Sequence, residues 1–400
     1  MCHMRTFRLQ STGCLPDFNM AAEANANGRG QRSGPGLYAN ARGNNFPSQR
    51  GGSPLTRGRN RGGSGPPAHA RPGGSHTSRN ATLLQGLGNV LHNFELPSGT
   101  APTNDRVIQN FQAVGSYSWT NGIEPTIIVP SSAPIWKDAA VPFTLQPDRG
   151  KTFADQNAAR VPLHPLLPLV AAIDYMHATG QIRDPDFSFA DFEVVTDRNG
   201  LRKLAGWVGG SKGSSSNFRI DVQLAGDTML FTRHEPRAVV SCDQNTFGKG
   251  FEHAMTLSGV SVQTGHHRIV KYSLGGVQIL LRCEIDACLP DARRETDSGP
   301  LQRFAITAKI PAVPGILIVG GGALTEQSRT MELKTKSHSN GDPRRPPVFD
   351  WPKSYLQMVL GQIEHHAVGF HRNGAFSTIT RSTLQSMQDR VDAELIDDQL

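Results

Sequence analysis

Two apolar runs, each followed by a pair of charged residues spaced two apart, constrain this chain most. Val277-Gln-Ile-Leu-Leu281 reads as a buried strand, and Glu284 and Asp286 come just after it. Ile316-Leu-Ile-Val319 reads as a second strand, and Glu332 and Lys334 lie past the polar loop beyond it. In a strand, residues i and i+2 share a face. The spacing therefore predicts that Glu284 and Asp286 project together into one cleft, as do Glu332 and Lys334. Carboxylates gathered in one pocket repel each other unless a divalent cation joins them. A lysine beside them suits a phosphate oxygen, as a point charge that stabilises developing negative charge. Spacing alone also allows two exposed strand ends with solvated charges. Glu295-Thr-Asp297 shows the same acid-x-acid triplet in a polar stretch that reads as loop.

The residues that surround such a cleft must come from the later part of the chain. Residues 1–93 set Arg29, Arg32, Arg42, Arg50, Arg57, Arg59, Arg61, Arg71 and Arg79 among Gly, Ser, Pro and Asn, and Glu23 is the only acid between positions 21 and 80. A segment of this kind buries too little apolar surface to offset its ordering entropy, which predicts a disordered tail. Its Arg-Gly pairs are similar to RGG-type tails, which contact single-stranded nucleic acid through phosphates and guanidinium stacking. A merely solubilising tail is the other reading. The remaining 300 or so of 400 residues, in a chain 37% hydrophobic, suffice for a large core. A net charge of +7 and a pI near 9.3 favour anionic partners without naming one. Five scattered cysteines with no CxxC pair read as reduced and intracellular. No apolar stretch reaches the ~18 residues that span a bilayer. Residues 1–19 have no secretory apolar region; they read either as a weak transit-like leader or as residues upstream of a start at Met20.

Local patterns predict the scaffold. Phe218–Leu224 and Thr228–Thr232 alternate around Gly226-Asp227 as a hairpin, and Arg268–Arg282 forms a second strand pair around Gly275-Gly276. Thr126–Pro130 reads as a strand and Leu169–His177 as a helix. Ala81–Leu91 has helical apolar spacing, 338–350 is a surface loop, and a helix from Thr383 sets Leu384, Met387, Val391 and Leu395 on one face for packing on the core. Other chemistries are poorly served. Gly320-Gly321-Gly322 follows a strand, but Thr325 stands where a dinucleotide fingerprint needs its third glycine, so the cluster reads as a turn. His266-His267 and His365-His366 are neighbours that face opposite ways on a strand, which does not suit zinc. Ser211–Ser216 lacks the phosphate-loop pattern, and no G-x-S-x-G element is present.

Four segments in order, Arg198-Asn-Gly-Leu201, Gly248-Lys-Gly-Phe-Glu252, Glu284-Ile-Asp286 and Glu332-Leu-Lys334, resemble the decapping and exoribonuclease (DXO-type) family of RNA 5′-end quality-control enzymes. That family's pattern is an Arg motif, G-φ-x-φ-E, E-φ-D and E-φ-K. Phe192–Leu204 looks like its strand–Arg–helix unit, and Met331-Glu-Leu-Lys-Thr-Lys336 is very similar to its E-L-K-T-S segment. Tyr355-Leu-Gln-Met358, followed by Val368-Gly-Phe-His371, resembles a helix-then-strand pair in which Gln357 falls on the family's glutamine. The resemblance runs from about residue 100 to about 380. Three features depart from the pattern: Lys249 stands at an apolar position of the second motif, residues 287–330 form a long connection, and Leu356 precedes Gln357.

The resemblance implies an α/β fold: a mixed β-sheet nuclease core of the PD-(D/E)XK type with a second, smaller antiparallel sheet and flanking helices. It implies a nuclease domain over 94–381, followed by a C-terminal helix over 382–400. Glu252, Asp286 and Glu332 would hold one or two Mg²⁺ or Mn²⁺ ions, with Glu284 helping through a water and the Leu333 carbonyl completing the shell. Lys334 and Gln357 would orient phosphate and water, and Arg198, with Glu252, would contact the RNA 5′ end. The implied activity is removal of incomplete caps, NAD caps or pyrophosphate from 5′ ends in mRNA quality control, with 5′→3′ trimming as a further activity. A nuclear 5′→3′ exoribonuclease is the implied partner and the nucleus the implied location, with no membrane association. Two other classes remain open: a non-catalytic RNA-binding scaffold that stimulates a partner exoribonuclease, which Lys249 favours, and a DNA nuclease with the same centre.

Overall fold

The computed structural model describes residues 8–9, 83–94, 108–182, 184–208, 217–242, 245–258, 262–291, 310–313, 315–338 and 349–397. The expected disordered tail therefore lies almost wholly outside the described residues, as do the Ser211–Ser216 loop and most of 338–350. Leu83 and Leu84 are helical and lead into a turn, closed by Leu87 N–H on the Leu84 carbonyl at 3.1 Å, and from Leu87 to Phe94 the expected helix does not continue. Leu83 is buried and Leu87 half-buried, whereas Leu84, Val90 and Leu91 are exposed, and apolar periodicity without a partner surface does not extend a helix.

Eleven strands and six helices position the cleft. They are β1 (Ile108–Thr120), β2 (Thr126–Val129), α1 (Gln156–Arg160), α2 (Leu167–Ala178), β3 (Val194–Asp197), α3 (Arg198–Val208), β4 (Arg219–Ala225), β5 (Thr228–His234), α4 (Gly248–Met255), β6 (Gln263–Leu274) and β7 (Val277–Glu284). They continue with β8 (Ile316–Gly320), β9 (Thr330–Ser337), α5 (Trp351–Gly361), β10 (His365–Arg372), β11 (Ala375–Thr383) and α6 (Leu384–Asp397). The larger sheet is ten-stranded and mixed. It runs from the short strand Arg8–Leu9 through β4, β5, β3, β7, β6, β1, β2 and β8 to Ile310–Val313. β7 is parallel to β3 and antiparallel to β6, so it is flanked on both edges. Both of its faces are covered as well. Leu280 packs among Val114, Ile173 and Met176 under α2, whereas Ile279, Leu281 and Cys283 pack among Met358, Ile363 and Met387 under α5 and α6. This double burial explains why Ile279–Leu281 is continuously apolar rather than alternating.

Both predicted hairpins form. Ala225 pairs with Thr228 across Gly226 at φ 60°, and Leu274 pairs with Val277 across Gly275 at φ 60° and Gly276 at φ 83°. The glycine run ends β8: Gly320 still pairs with Val129, and Gly321 at φ 123° leads the chain out of the sheet. A Cβ on Gly322 would lie 2.8 Å from Ser131 Cα, so close backbone approach accounts for that glycine.

A second large sheet stands beside the first, and the expected smaller antiparallel sheet is present as well. The second large sheet is seven-stranded and mixed, in the order Thr256–Leu257, Ile135–Trp136, Ala287–Cys288, β9, β10, β11, Phe143–Thr144. β9 and β10 run parallel, with Glu332 opposite His366, because α5 connects them as a crossover. The small antiparallel sheet is the two-stranded pair Lys151–Phe153 with Val239–Ser241. α6 begins where predicted and packs on α5, with Met387 and Val391 buried. The side chain of Leu395 lies outside the described residues.

Candidate functional site

The two sheets meet where the charged pairs lie. β7 leaves the ten-stranded sheet at Glu284, and Ala287–Cys288 enters the second sheet beside β9, with Ala287 opposite Met331. Glu284 and Asp286 occupy that junction. Ile285 between them is buried, and its N–H donates to the His266 carbonyl at 3.0 Å, which keeps the extended alternation past the end of β7. Both acids line one cleft of about 780 Å³, together with Glu252, Glu332, Lys334, Gln357 and Arg198. The structure thus brings together all the side chains that the sequence singled out.

Glu332 is the deepest of them, at 1% exposure, because Met331 and Leu333 on either side face the core around Phe251 and Phe376. Three donors hold its carboxylate. Arg198 Nη1 lies 3.1 Å from Oε2, while Lys334 Nζ and Gln357 Nε2 both donate to Oε1. Each donor has a structural reason to be there. Arg198 opens α3 directly after β3, where Asp197 Oδ1 accepts Gly200 N–H at 2.8 Å and fixes the helix start. Gln357 rides on the α5 crossover above β9, and Lys334 follows Glu332 on the same strand face. The guanidinium of Arg198, expected on a 5′ end, is thus engaged by Glu332 and buried.

Leu333 contributes backbone groups. Its N–H donates to Asp286 Oδ2 at 2.8 Å, and its carbonyl, expected at a cation, accepts from Lys334 Nζ at 3.3 Å. Glu252 arrives on a helix. Asp148 caps that helix by accepting Lys249 N–H at 3.2 Å and Gly250 N–H at 2.9 Å, and Phe251 anchors it in the core beside Gly369. One turn along, Lys249 Nζ sits 2.8 Å from Glu252 Oε2.

The charges act on one another. Burial raises the Asp286 carboxyl well above its ordinary range; Glu332, Glu252 and Glu284 add to this, against Lys334. Burial likewise raises Glu252, and Lys249 pulls it back. Burial pushes Glu332 up too, but Lys334, Arg198 and the Lys334 hydrogen bond outweigh it and hold the carboxyl at about 2. The donors around Glu332 thus favour its charged form, whereas burial first and the neighbouring carboxylates second disfavour that of Asp286.

Asp155, Asn157, Asp197, Arg233, His267 and Arg282 line the same cleft and form a second polar layer that sequence patterns did not reveal. Asn157 Oδ1 accepts from Tyr117 Oη at 2.6 Å and Trp119 Nε1 at 3.0 Å, while its amide nitrogen faces His267 Nε2 at 3.0 Å. His267 stacks on Tyr117 at 4.9 Å. Buried Arg233 and Arg282 bracket Asp197 at 3.6 and 3.8 Å, and Arg233 also pairs with Asp155 at 2.9 Å. The available signal was the alternation Ser116-Tyr-Ser-Trp119, which sends both aromatic rings to one face; nothing in the sequence marked Asp148 or Asn157.

A hard divalent cation suits this donor set in chemistry, since it consists of carboxylate oxygens and a backbone carbonyl. It is not a closed shell: among the described residues no three His, Cys, Asp or Glu side chains converge on a common point, and protein donors occupy Glu252, Asp286 and Glu332. The donor types are those of a hard cation rather than zinc, and in this arrangement they are engaged by Lys249, the Leu333 N–H and Arg198.

Fold and cleft define a mixed α/β protein with an acid-and-lysine centre at the junction of two sheets. Residues 89–393 match the family described as a domain of unknown function (DUF8563), and the chain belongs to that family. No curated protein matches the sequence. Among solved structures the chain is similar to S. pombe Rai1, at 13% identity and a TM-score of 0.44, over 75% of this chain and 81% of that one. It is similar to S. pombe Rai1 in complex with 3′-FADP at 14% identity and 0.44, over 74% and 80%. For K. lactis Dxo1 in complex with manganese the values are 12% and 0.37, over 70% and 71%.

Proposed function

We propose that this protein is a divergent DXO-type hydrolase acting on RNA 5′ ends with one divalent cation, Mg²⁺ or Mn²⁺. The observation that carries this reading is the convergence of Glu252, Glu284, Asp286, Glu332, Lys334 and Gln357 in one cleft, from segments spread over more than a hundred residues. A purely structural set of charges has no need of four carboxylates in mutual repulsion. When bound, the cation would supply charge stabilisation for the reacting phosphate. Glu252, Asp286 and Glu332 would hold it, with Glu284 at the rim. Arg198 keeps Glu332 ionised and oriented. Lys334, already at the mouth of the carboxylate pair, would place its ammonium against a phosphate oxygen as negative charge develops. Gln357, with its amide nitrogen on Glu332, would use its amide oxygen to orient a water. Arg149 and Lys151, which line the same cleft, would draw the RNA backbone in. The Arg/Gly-rich residues before 93 would add weak contacts to single-stranded RNA, and a nuclear location follows from the same reading.

The test is cleavage of one short RNA prepared with a 5′-triphosphate, an unmethylated cap, an NAD cap or a 5′-monophosphate, with Mg²⁺, Mn²⁺ or EDTA. Wild type runs beside Glu284→Ala/Asp286→Ala and beside a DNA strand of the same sequence. Cation-dependent release from RNA, lost in the double variant, supports the proposal and names the preferred end. Absence of release from every RNA, with RNA still bound, overturns it in favour of the scaffold reading, which the Lys249–Glu252 pair favours.

A further inference from the structure

The short strand Lys151–Phe153 also lines the cleft. Residues i and i+2 of a strand share a face, about 6.7 Å apart, so Lys151 and Phe153 project together. Both are exposed, as is Arg149 just before them, and Phe153 leaves 43% of its surface open. The ring is nevertheless held in place. Thr152 pairs with Val240 of the neighbouring strand, and the Ala238 carbonyl accepts Ala154 N–H at 2.8 Å and Asp155 N–H at 3.2 Å. At the other end Cys242 N–H donates to the Gly150 carbonyl at 2.9 Å. Arg160 Cζ stands over the Phe153 ring, 5.9 Å from its centroid, and that guanidinium is itself fixed on the carbonyls of Thr120 and Gly122. A lone exposed aromatic is ordinary on a protein surface. One held against an anchored guanidinium, with two exposed cations alongside it in a cleft, suits a strand of unpaired bases: bases stack on the ring and phosphates meet the cations. An acidic peptide would leave the ring idle, and a duplex hides its base faces.

We propose that the Lys151–Phe153 strand is a stacking platform for single-stranded RNA entering the cleft. One base lies on the open part of the Phe153 ring, and Arg149 and Lys151 meet the flanking phosphates. This rests on the RNA reading given above and adds the residue that makes an unpaired strand a requirement. A base within a duplex is stacked on both faces and cannot lie on the ring, so the RNA must carry an unpaired 5′ stretch that reaches Phe153. Stacking asks only for a π-face, so the platform accepts any base. The contact involves neither the carboxylates nor a cation, and it serves a cleft that cleaves RNA and one that only holds it.

The experiment measures binding of a short 5′-monophosphate oligouridylate, labelled at its 3′ end, to the full chain by fluorescence anisotropy. EDTA is present so that nothing is cleaved, and the same strand in a blunt duplex is run beside it. Wild type is expected to bind the single strand more tightly than the duplex. Phe153→Ala and Phe153→Leu are both expected to weaken single-strand binding about 5-fold or more, the loss of one stacked base. Leucine keeps apolar area, so an equal loss in the two assigns the effect to the aromatic face. Phe153→Tyr is expected to bind as wild type. Phe153→Trp is expected to do the same, with its added indole emission quenched by RNA, a signal that a merely structural role would not give. Lys151→Ala is expected to reduce the slope of log affinity against log salt by about 0.7, one phosphate contact. Unchanged single-strand binding in Phe153→Ala and Phe153→Leu overturns the platform and leaves the RNA reading standing. A blunt duplex bound as tightly as the single strand does the same. No RNA bound by wild type overturns the RNA reading itself, together with the inference built on it.

Discussion

The backbone N–H of Leu333 donates to Asp286 Oδ2 at 2.8 Å, and that one bond ties the exit of the ten-stranded sheet to a central strand of the other. Asp286 thus has two functions that pull in opposite directions. It clamps the sheets, and it sits among like charges that burial makes costly to keep ionised. Asp286→Asn keeps an oxygen for the Leu333 N–H and removes the charge. We expect this variant to unfold at higher denaturant, by about 1 kcal/mol, while 5′-end cleavage falls at least about 100-fold. Urea unfolding beside the RNA cleavage assay checks both halves; a less stable Asn variant would refute the repulsion.

Removing Arg198 tests the opposite case. Glu332 is buried and ionised, and Arg198→Met takes away its bidentate-capable partner while roughly conserving volume. The expected loss is about 3 kcal/mol of stability, because an ionised carboxylate is left inside with fewer donors. Glu332→Gln in the same background should recover most of it, read from the denaturant midpoints of the four proteins in a double-mutant cycle.

Two buried histidines should make the fold sensitive to acid. Burial, with Arg282, pushes His267 down to about 4 against the pull of Glu284 and Asp155, and burial likewise lowers His366 to about 4. An unfolded histidine titrates near 6.5. Each neutral ring therefore contributes stability that is fully present above pH 6.5 and lost as pH falls toward about 4, up to about 3 kcal/mol apiece. His267→Phe keeps the stack on Tyr117 and removes one proton site. Its stability should fall less steeply between pH 6.5 and 4 than that of wild type, whatever constant penalty the unpaired Asn157 amide adds. Parallel slopes would sink the assignment.

Gly369 tests how far packing reaches. A Cβ there would lie 2.8 Å from Phe251 Cζ and 2.9 Å from Phe376 Cε1. Gly369→Ala should cost about 1–3 kcal/mol and shift the helix that carries Lys249 and Glu252. Cleavage should drop by more than the stability loss explains, measured at a temperature where the variant is fully folded.

Much of this was legible in the sequence where one element decides the outcome. The hairpins around Gly226 and Gly275 follow from local alternation and turn residues, and the joint projection of Glu284 with Asp286 follows from strand geometry. What escaped depends on how elements meet. Nothing local says that β9 and β10 run parallel; that follows from α5 crossing between them, and it makes the seven-stranded sheet mixed. Nothing local marks Asp148, because its role exists only once the glycine-flanked start of α4 folds against it. The position of Arg198 was readable, but its engagement with Glu332 was not, since the two lie 134 positions apart and meet only through the packing of α3 and α5 over β9.

The junction of the two sheets also sets when the cleft comes into being. Asp286 depends on β9, Gln357 on the crossover to β10, and Glu252 on the aromatic floor that β10 and β11 complete. These are long-range pairings that form slowly and last. A chain still leaving the ribosome, or one cut between α4 and α5, would hold some of the acids with no geometry to unite them. Assembly of the cleft is thus all-or-none, and a partly folded copy holds no half-built centre.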